Sequence, residues 1–469
     1  MSAQPVTSTT ARDRALSSAR RAPAAGETPP LRVRASHEMG QAPSQVSSQA
    51  PKASETVSES APAPSGRSGL CALLAETAYV HPGRIALIDP VGKRAWSGRP
   101  SITWTYAAAA EIIARLANGL RGWRLPRASR IGLSLGGGAE SIVAYLAIEA
   151  AGHSPCLLPP SWSEDDLVTA VQAAGITAIL CQARAGDAAP AETMRRVALR
   201  YFGLRYLAAF GPDVPDGVIS LDGMALDAGG GPFAPDTGGG LVSFAGGDPG
   251  RPVHRSTHSL LAAIALHRTR IGIVPDDRIL SLLPLSDLRA VVTGLGAALT
   301  CGASLETLPA FGALPFEETL ARPLPTHLVA PAGLERNLAA SHLPKTLRSL
   351  TLAHRAPTRF PARHLSPASP FPVVDAVAFD EIALLSGIRG DDDIVRTLAD
   401  PERARLPESL MALRSDEAGR LAFRGEACRI APLQRGNSPE RCAEDWAESR
   451  FRVTVLAGRA VALTPVEQP

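Results

Sequence analysis

The sequence predicts an α/β protein of two doubly wound subdomains with a small β-rich subdomain near its end. Three observations carry that expectation. Segments with strand and helix periodicity alternate along most of the chain, as βαβ units around a mainly parallel sheet require. The alternation continues on both sides of "DAGGGPFAPDTGGG", residues 227–240, which reads as a flexible linker between the halves. From "PESLMALRSDEAGRLAFRGEACRIAPL" to "RFRVTVLAGRAVAL", short strands follow one another without helices.

The elements follow in order. Residues 1–66 are rich in Ser, Ala, Pro, Gln and Arg and lack periodic apolar positions. Such a segment cannot bury enough apolar surface to offset its ordering entropy, so a disordered tail is expected. Its start, "ARDRALSSARRAP", reads as solvated rather than as a transit-like segment. The folded domain spans 67–460, and 461–469 reads as a short tail. Leu70, Leu73, Leu74 and Ala78 recur at helical spacing until Pro82, and "RIALID" and "SITWTY" are strands. "AAAAEIIARLANGLRGW" is a helix with Ile112, Ile113, Leu116 and Leu120 on one face. "RIGLSL", "SPCLLPP" and "ITAILC" are strands separated by the helices "GGAESIVAYLAIEAAG" and "SEDDLVTAVQAAG". The last of these opens on Ser163 with acids in its first turn, as a capped helix does. After the linker, "SLLAAIALHRTRIGI" and "RAVVTGLGAALTCG" are helices among the strands "RILSLLPL", "ASLETLP", "TLRSLTLAH" and "FPVVDAVAF".

Composition excludes several function classes. Net charge is +3 and aromatics are 4%, too few for a base-stacking surface, so no nucleic-acid partner is expected. No apolar run is long enough to span a membrane, and no signal peptide opens the sequence. The cytoplasm is the expected location. The 6 cysteines form no C-x-x-C pair and are expected to be buried free thiols. His254 and His258, four apart, would share a helix face, but no third ligand beyond His267 is near, so packing outweighs a zinc site. The acids Asp391 to Asp393 lack the Gly and terminal Glu of a calcium loop and read as a helix N-terminal cluster.

"LVSFAGGDPGRPVHRSTHSL", residues 241–260, reads as a strand entering a glycine-rich loop and running toward a helix, an arrangement that can aim backbone N–H groups at a phosphate. It contains no Lys. Asp248 brings a negative charge toward the place a phosphate would take, so a structural turn is favoured over a nucleotide loop.

Four further stretches bear on that loop: "HPGRIALID" with "TWTYAAAAEIIARLANGL", "IVAYLAIEAAGHSPCLLPP", "LPLSDLRAVVTGLGAALTCGASLETLP" and "GRLAFRGEACRIAP". In their order, from about residue 70 to about 460, the chain resembles the large N-terminal domain of the adenylate-forming superfamily of acyl-CoA synthetases, luciferases and peptide-synthetase adenylation domains. That family's phosphate loop reads roughly S-G-T-T-G-x-P-K-G, with a His beyond it. With the His on His258, the Ser falls on Ala245, the Gly on Gly246, the Thr pair on Gly247 and Asp248, and the Lys on Pro252. A shift of one matches Gly250 and Pro252 instead, still without Lys.

The family's Y-G-x-T-E falls on Val377, Ala378, Phe379, Asp380 and Glu381. The resemblance thus implies adenine contact at Val377 and Ala378 and a catalytic, Mg²⁺-holding role for Glu381 with Asp380 beside it. Asp287 stands at or next to a family His. Gly458 and Arg459 resemble the hinge into a C-terminal lid, and the chain ends 10 residues after Arg459, so the lid with its catalytic Lys is not expected. ATP and Mg²⁺ are cofactors by resemblance alone. The favoured expectation is a non-catalytic relative that binds an acyl or carboxylate ligand, a carrier protein or a catalytically intact synthetase. The alternative is an active ligase forming acyl-AMP, with the lid supplied by a partner.

Overall fold

A computed structural model describes residues 69–226, 239–308, 312–390, 393–433 and 445–466. The expected tail 1–66 and most of the linker 227–240 lie outside these residues. The described residues fall within one compact unit, 62–469.

Two eight-stranded sheets carry the fold. In the first, Ala383–Ile388, Val373–Phe379, Leu347–Arg355, Thr326–Pro331, Arg278–Ser281, Ser304–Thr307, Ile85–Ile88 and Thr103–Thr105 lie side by side in that order. All neighbours are parallel except at the two edges. The second sheet runs Ala431–Pro432, Pro252–Arg255, Leu241–Phe244, Ser154–Leu157, Arg130–Ser134, Ala178–Gln182, Tyr206–Phe210 and Ile219–Ser220. A third, antiparallel sheet contains Ala412–Ser415, Arg420–Arg424, Ala447–Leu456 and Arg459–Pro465. The architecture is the α/β one expected, with its small β-rich part.

The division between the halves differs from the expectation. Strands 85–88 and 103–105 precede the linker yet join the first sheet, while 241–244 and 252–255 follow it yet join the second. The sequence pattern locates strands but carries no information about which sheet a parallel strand enters. The 461–469 tail is also corrected in part. Residues up to Pro465 form a strand, with Ala460 and Leu463 turned into the core.

Helices behave as their sequences dictate. Thr105 caps the helix Tyr106–Gly122 by accepting the Ala108 N–H, and its apolar stripe is buried. Ser163 and Asp166 form a reciprocal capping box at Glu164–Ala174. The helix Ala139–Ala150 is largely apolar, and all its residues, Glu140 and Glu149 included, are buried. Its Glu149 carboxylate accepts the N–H groups of Leu70 and Cys71 at 3.2 and 2.7 Å, fastening the start of the helix Leu70–Val80. Among the described residues, no helix is long and apolar enough to cross a membrane.

Candidate functional site

Residues 245–251 join the strands Leu241–Phe244 and Pro252–Arg255, paired antiparallel with Phe244 opposite Pro252. The chain therefore goes strand, loop, strand, and only then enters the helix Thr257–Ile271. The expected direct passage from glycine loop to helix is corrected: a strand intervenes, and the Ser256 hydroxyl caps the helix beyond it through the Ser259 N–H. The loop closes on itself through Ala245 N–H to Arg251 O at 3.0 Å and Arg251 N–H to Asp248 O at 3.0 Å. Asp248 turns its carboxylate back to the Gly250 N–H, 2.8 Å away. Gly246 and Gly247 adopt φ values of 66° and 73°, a region open to glycine at little cost.

Opposite the loop lies the turn joining Val373–Phe379 to Ala383–Ile388. Ile382 N–H bonds Phe379 O at 2.8 Å, and the two residues between, Asp380 and Glu381, have φ of 48° and 61°. Neither is glycine, so the turn stores strain of order 1 kcal/mol per residue. Arg255 holds it. Its fully buried guanidinium donates to the carbonyls of Glu381 at 2.7 Å and Ile382 at 2.9 Å, to Ala427 O, and to Ser259 Oγ at 2.7 Å.

The turn aims its carboxylates differently. Glu381 is buried. Its Oε2 accepts the Leu288 N–H at 3.0 Å, and the Ser243 hydroxyl bonds it as well. Burial and the neighbouring Asp287 charge push its pKa up to about 7. Asp380 forms an ion pair with Arg450 of the small sheet. Burial raises its pKa, against the opposing pull of Arg450 and Arg251. Burial also opposes the charge on Asp287. Even so, Arg289 and Arg355, with nitrogens 2.6 and 2.9 Å from Asp287 Oδ2, hold it below the ordinary carboxylate range.

Together these groups line a cleft of about 190 Å³, walled by Gly246, Gly247, Ala378, Asp380, Glu381, Arg355 and Arg450 among others. The structure thus brings together Gly246, Gly247, Ala378, Asp380 and Glu381, sites expected from distant parts of the sequence. Val377 is not among them: it is fully buried in the core, between its strand partners His354 and Leu385. Asp248 and Gly250 lie exposed on the loop, and Ala245 is buried beneath it. Arg355, Arg450 and Arg255 were not expected from the sequence. Cations scattered through a chain with 48 Lys and Arg carry no spacing signal.

Two features decide what the cleft can hold. The Arg450 guanidinium lies directly over Gly246, where even a Cβ would collide with it, and Arg355 reaches the same side of Gly247. Arg450 is paired with Asp380, and Arg355 shares Asp287 with Arg289. The residues as placed therefore do not fit a Mg²⁺-triphosphate at Gly246, where Arg450 occupies the space over the glycine, and Glu381 turns its Oε2 to the Leu288 N–H.

The remaining candidates sit apart. His254 is on a strand and His258 on a helix, so the expected shared helix face is corrected by the strand that ends at Arg255. His267 is buried against Ser386 Oγ at 2.9 Å, and burial lowers its pKa to about 3. No cluster of metal-ligating side chains occurs among the described residues. Asp391 and Asp392 lie outside them, and Asp393 caps the helix Ile394–Ala399. Its carboxylate also receives Arg363 at 2.6 Å and Arg459 at 3.1 Å. Gly458 and Arg459, the expected hinge, stand at the turn between two paired strands, with Leu456 opposite Arg459. Cys71, Cys156, Cys181 and Cys428 are buried free thiols, as expected, Cys301 is free but only partly buried, and Cys442 lies outside the described residues; burial pushes Cys181 and Cys428 up to about 12.

Comparison with known proteins agrees with this architecture. Residues 74–204 match the family model described as AMP-binding enzyme. No curated protein matches. Among solved structures, the apo structure of MbtA from Mycobacterium smegmatis aligns at TM-score 0.66 and 20% identity, covering 85% of this chain and 76% of that one. A benzoate CoA ligase from Burkholderia xenovorans aligns at 0.65 and 19%, covering 85% and 80%. The O-succinylbenzoate CoA synthetase MenE of Bacillus subtilis, solved with ATP and magnesium, aligns at 0.62 and 15%, covering 83% and 78%.

Proposed function

We propose that this chain, with the fold of the adenylate-forming ligases and the AMP-binding family's sequence pattern over residues 74–204, works by binding rather than by catalysis, engaging an acyl group, a carrier protein or a catalytically intact synthetase. One observation carries the reading: Arg450, paired with Asp380, fills the volume over Gly246 where a ligand phosphate would have to lie. Pro252 at the family's lysine position removes the cation that would compete for it. Asp248 spends its carboxylate on its own loop, and Glu381 accepts the Leu288 N–H. Transition-state stabilisation in phosphoryl and adenylyl chemistry rests on preorganised positive charge, and each such group is worth about 10²–10³ in rate. Here Arg450 is already paired with Asp380, and Arg355 shares Asp287 with Arg289.

Pyrophosphate exchange with ATP and Mg²⁺, across a panel of fatty, aromatic and amino acids, is expected to stay at background. Saturating Mg-ATP is expected to leave the melting transition unmoved. A nucleotide binder at a hundredfold excess over its Kd would instead gain about 2.7 kcal/mol. Exchange that Glu381→Ala abolishes would restore the active-ligase reading.

A further inference from the structure

Toward the edge of the second sheet that lies away from the glycine loop, the helix Pro190–Arg200 leads through a turn into the strand Tyr206–Phe210. The turn closes through the Leu204 N–H to Tyr201 O at 3.3 Å and carries Phe202 between those two residues. Phe202 is 94% exposed, and Leu199, three residues earlier, is 76% exposed. A single exposed apolar residue is ordinary. Two large ones side by side, next to an apolar groove, make a patch that is not.

The groove is open and measures about 390 Å³. Leu199, Leu204, Tyr206 and Leu207 supply its apolar wall. The strand end within it is bare: the edge strand Ile219–Ser220 pairs with Ala208 and Ala209 and stops short of Tyr206 and Leu207. Phe202 does not line the groove, although Leu199 before it and Leu204 and Arg205 after it do. One chain therefore presents a projecting aromatic ring beside a groove that this ring does not fill.

The rim carries both signs of charge. Arg195 pairs with Glu192 at 2.9 Å, Arg196 with Glu164 at 2.7 Å and Arg200 with Asp165 at 2.7 Å. A partner of one sign, whether an anionic lipid surface or an acidic peptide, would meet repelling groups among the attracting ones. A surface with the same mixture is complementary to it, and a second copy of this patch is such a surface. These ion pairs are solvated, so exchanging partners across an interface costs little.

We propose that this patch is a two-fold interface between two copies of the chain, in which the Phe202 ring of each enters the groove of the other. With the axis at Leu199, the two Leu199 side chains meet. Phe202, three residues further on, then lies opposite Arg196 of the other copy, three residues back. Arg195 and Arg196 line the groove there, and a guanidinium over the ring adds a cation–π contact. Such an interface uses the same patch twice and closes at two copies. It is independent of the adenylate-forming cleft and of the function proposed for it, since the glycine loop stands beyond three other strands of the sheet.

Analytical ultracentrifugation of the full chain, from micromolar to several hundred micromolar, reads the equilibrium. Two Phe and two Leu side chains alone fall short of the ~1,200 Å² of a standard interface, so a reversible, concentration-dependent dimer is expected. Phe202→Asp and Leu199→Asp are each expected to weaken it at least about tenfold, as removal of a central anchor does. Neither is expected to lower the melting temperature, because both side chains face solvent in the single chain. Vesicles of phosphatidylcholine and phosphatidylserine, sedimented with the chain, test the competing occupant and are expected to leave it in the supernatant. A chain that stays monomeric over the whole range, a dimer that neither substitution weakens, or vesicle binding that Phe202→Asp abolishes each overturns the proposal.

Discussion

At the scale of single residues, Glu381 is where burial of a charge is most measurable. Its folded pKa of about 7 lies above the ordinary 4.5, with burial the main cause and the Asp287 charge the second. A carboxyl whose folded pKa is raised binds more protons in the native state than in the unfolded one. Between about pH 4.5 and pH 7, stability therefore falls as pH rises. Asp287, with its pKa depressed, acts oppositely and only below the ordinary carboxylate range, so the two windows separate. Glu381→Gln keeps an oxygen for the Leu288 N–H but cannot ionise. Relative to the parent, this variant is expected to gain stability on going from pH 5 to pH 7, by an amount on the order of 1–3 kcal/mol. Urea denaturation at the two pH values measures it. A difference that stays flat or shrinks as pH rises would mean that Glu381 is ionised at little cost.

At the scale of elements, the hairpin turn at Asp380 and Glu381 depends on a residue from another sheet. Arg255 ends the strand Pro252–Arg255, and its guanidinium closes on the carbonyls of Glu381, Ile382 and Ala427. Arg255→Met leaves those acceptors buried without donors while keeping much of the apolar volume. A loss of about 3 kcal/mol or more is expected from such a change. Arg355 is a useful contrast, since its side chain is 52% exposed and its pair with Asp287 is partly solvated. Arg355→Met is expected to cost less than about 1 kcal/mol. Denaturant midpoints for the two variants test the pair, and equal losses would refute the distinction. This element also shows what the sequence made legible. The acidic pair at Asp380 and Glu381 was visible because "VAFDE" aligns with the Y-G-x-T-E stretch of the family that the chain resembles. Its strained φ values and its buried clamp were not, since Arg255 stands 125 residues or more away in sequence and nothing local marks it. The glycine loop misled in a similar way. "PVHR" is too short to announce a strand by periodicity, so the helix beyond it looked adjacent to the loop.

At the scale of the whole molecule, the order of elements could be read from the sequence, but their assignment to sheets could not. Strands such as "RIALID" and "ITAILC" are uniformly apolar because both faces are covered, and a uniform run does not say which neighbour covers it. The consequence is a chain that crosses between its two sheets more than once. The strands Ile85–Ile88 and Thr103–Thr105 find partners only in the sheet built largely from residues 278–388. The strand Ser154–Leu157 is covered on one side by Leu241–Phe244. The helix Ala139–Ala150, buried on every side, shares one apolar core with residues of the helix Thr257–Ile271 and of the segment 288–299. Cutting at the linker therefore does not separate two domains. A fragment of residues 62–238 would expose that helix and leave the strand 85–88 without its parallel neighbour. A fragment of 239–469 would lose an edge of the first sheet and most of the second. Neither fragment expressed alone is expected to melt cooperatively, whereas the two expressed together are expected to co-purify and to regain a single transition, since the break falls in the glycine-rich segment. Calorimetry and amide-proton dispersion distinguish these states. A sharp transition and a dispersed spectrum from 62–238 alone would show that the first half holds its own core, against the shared core described here.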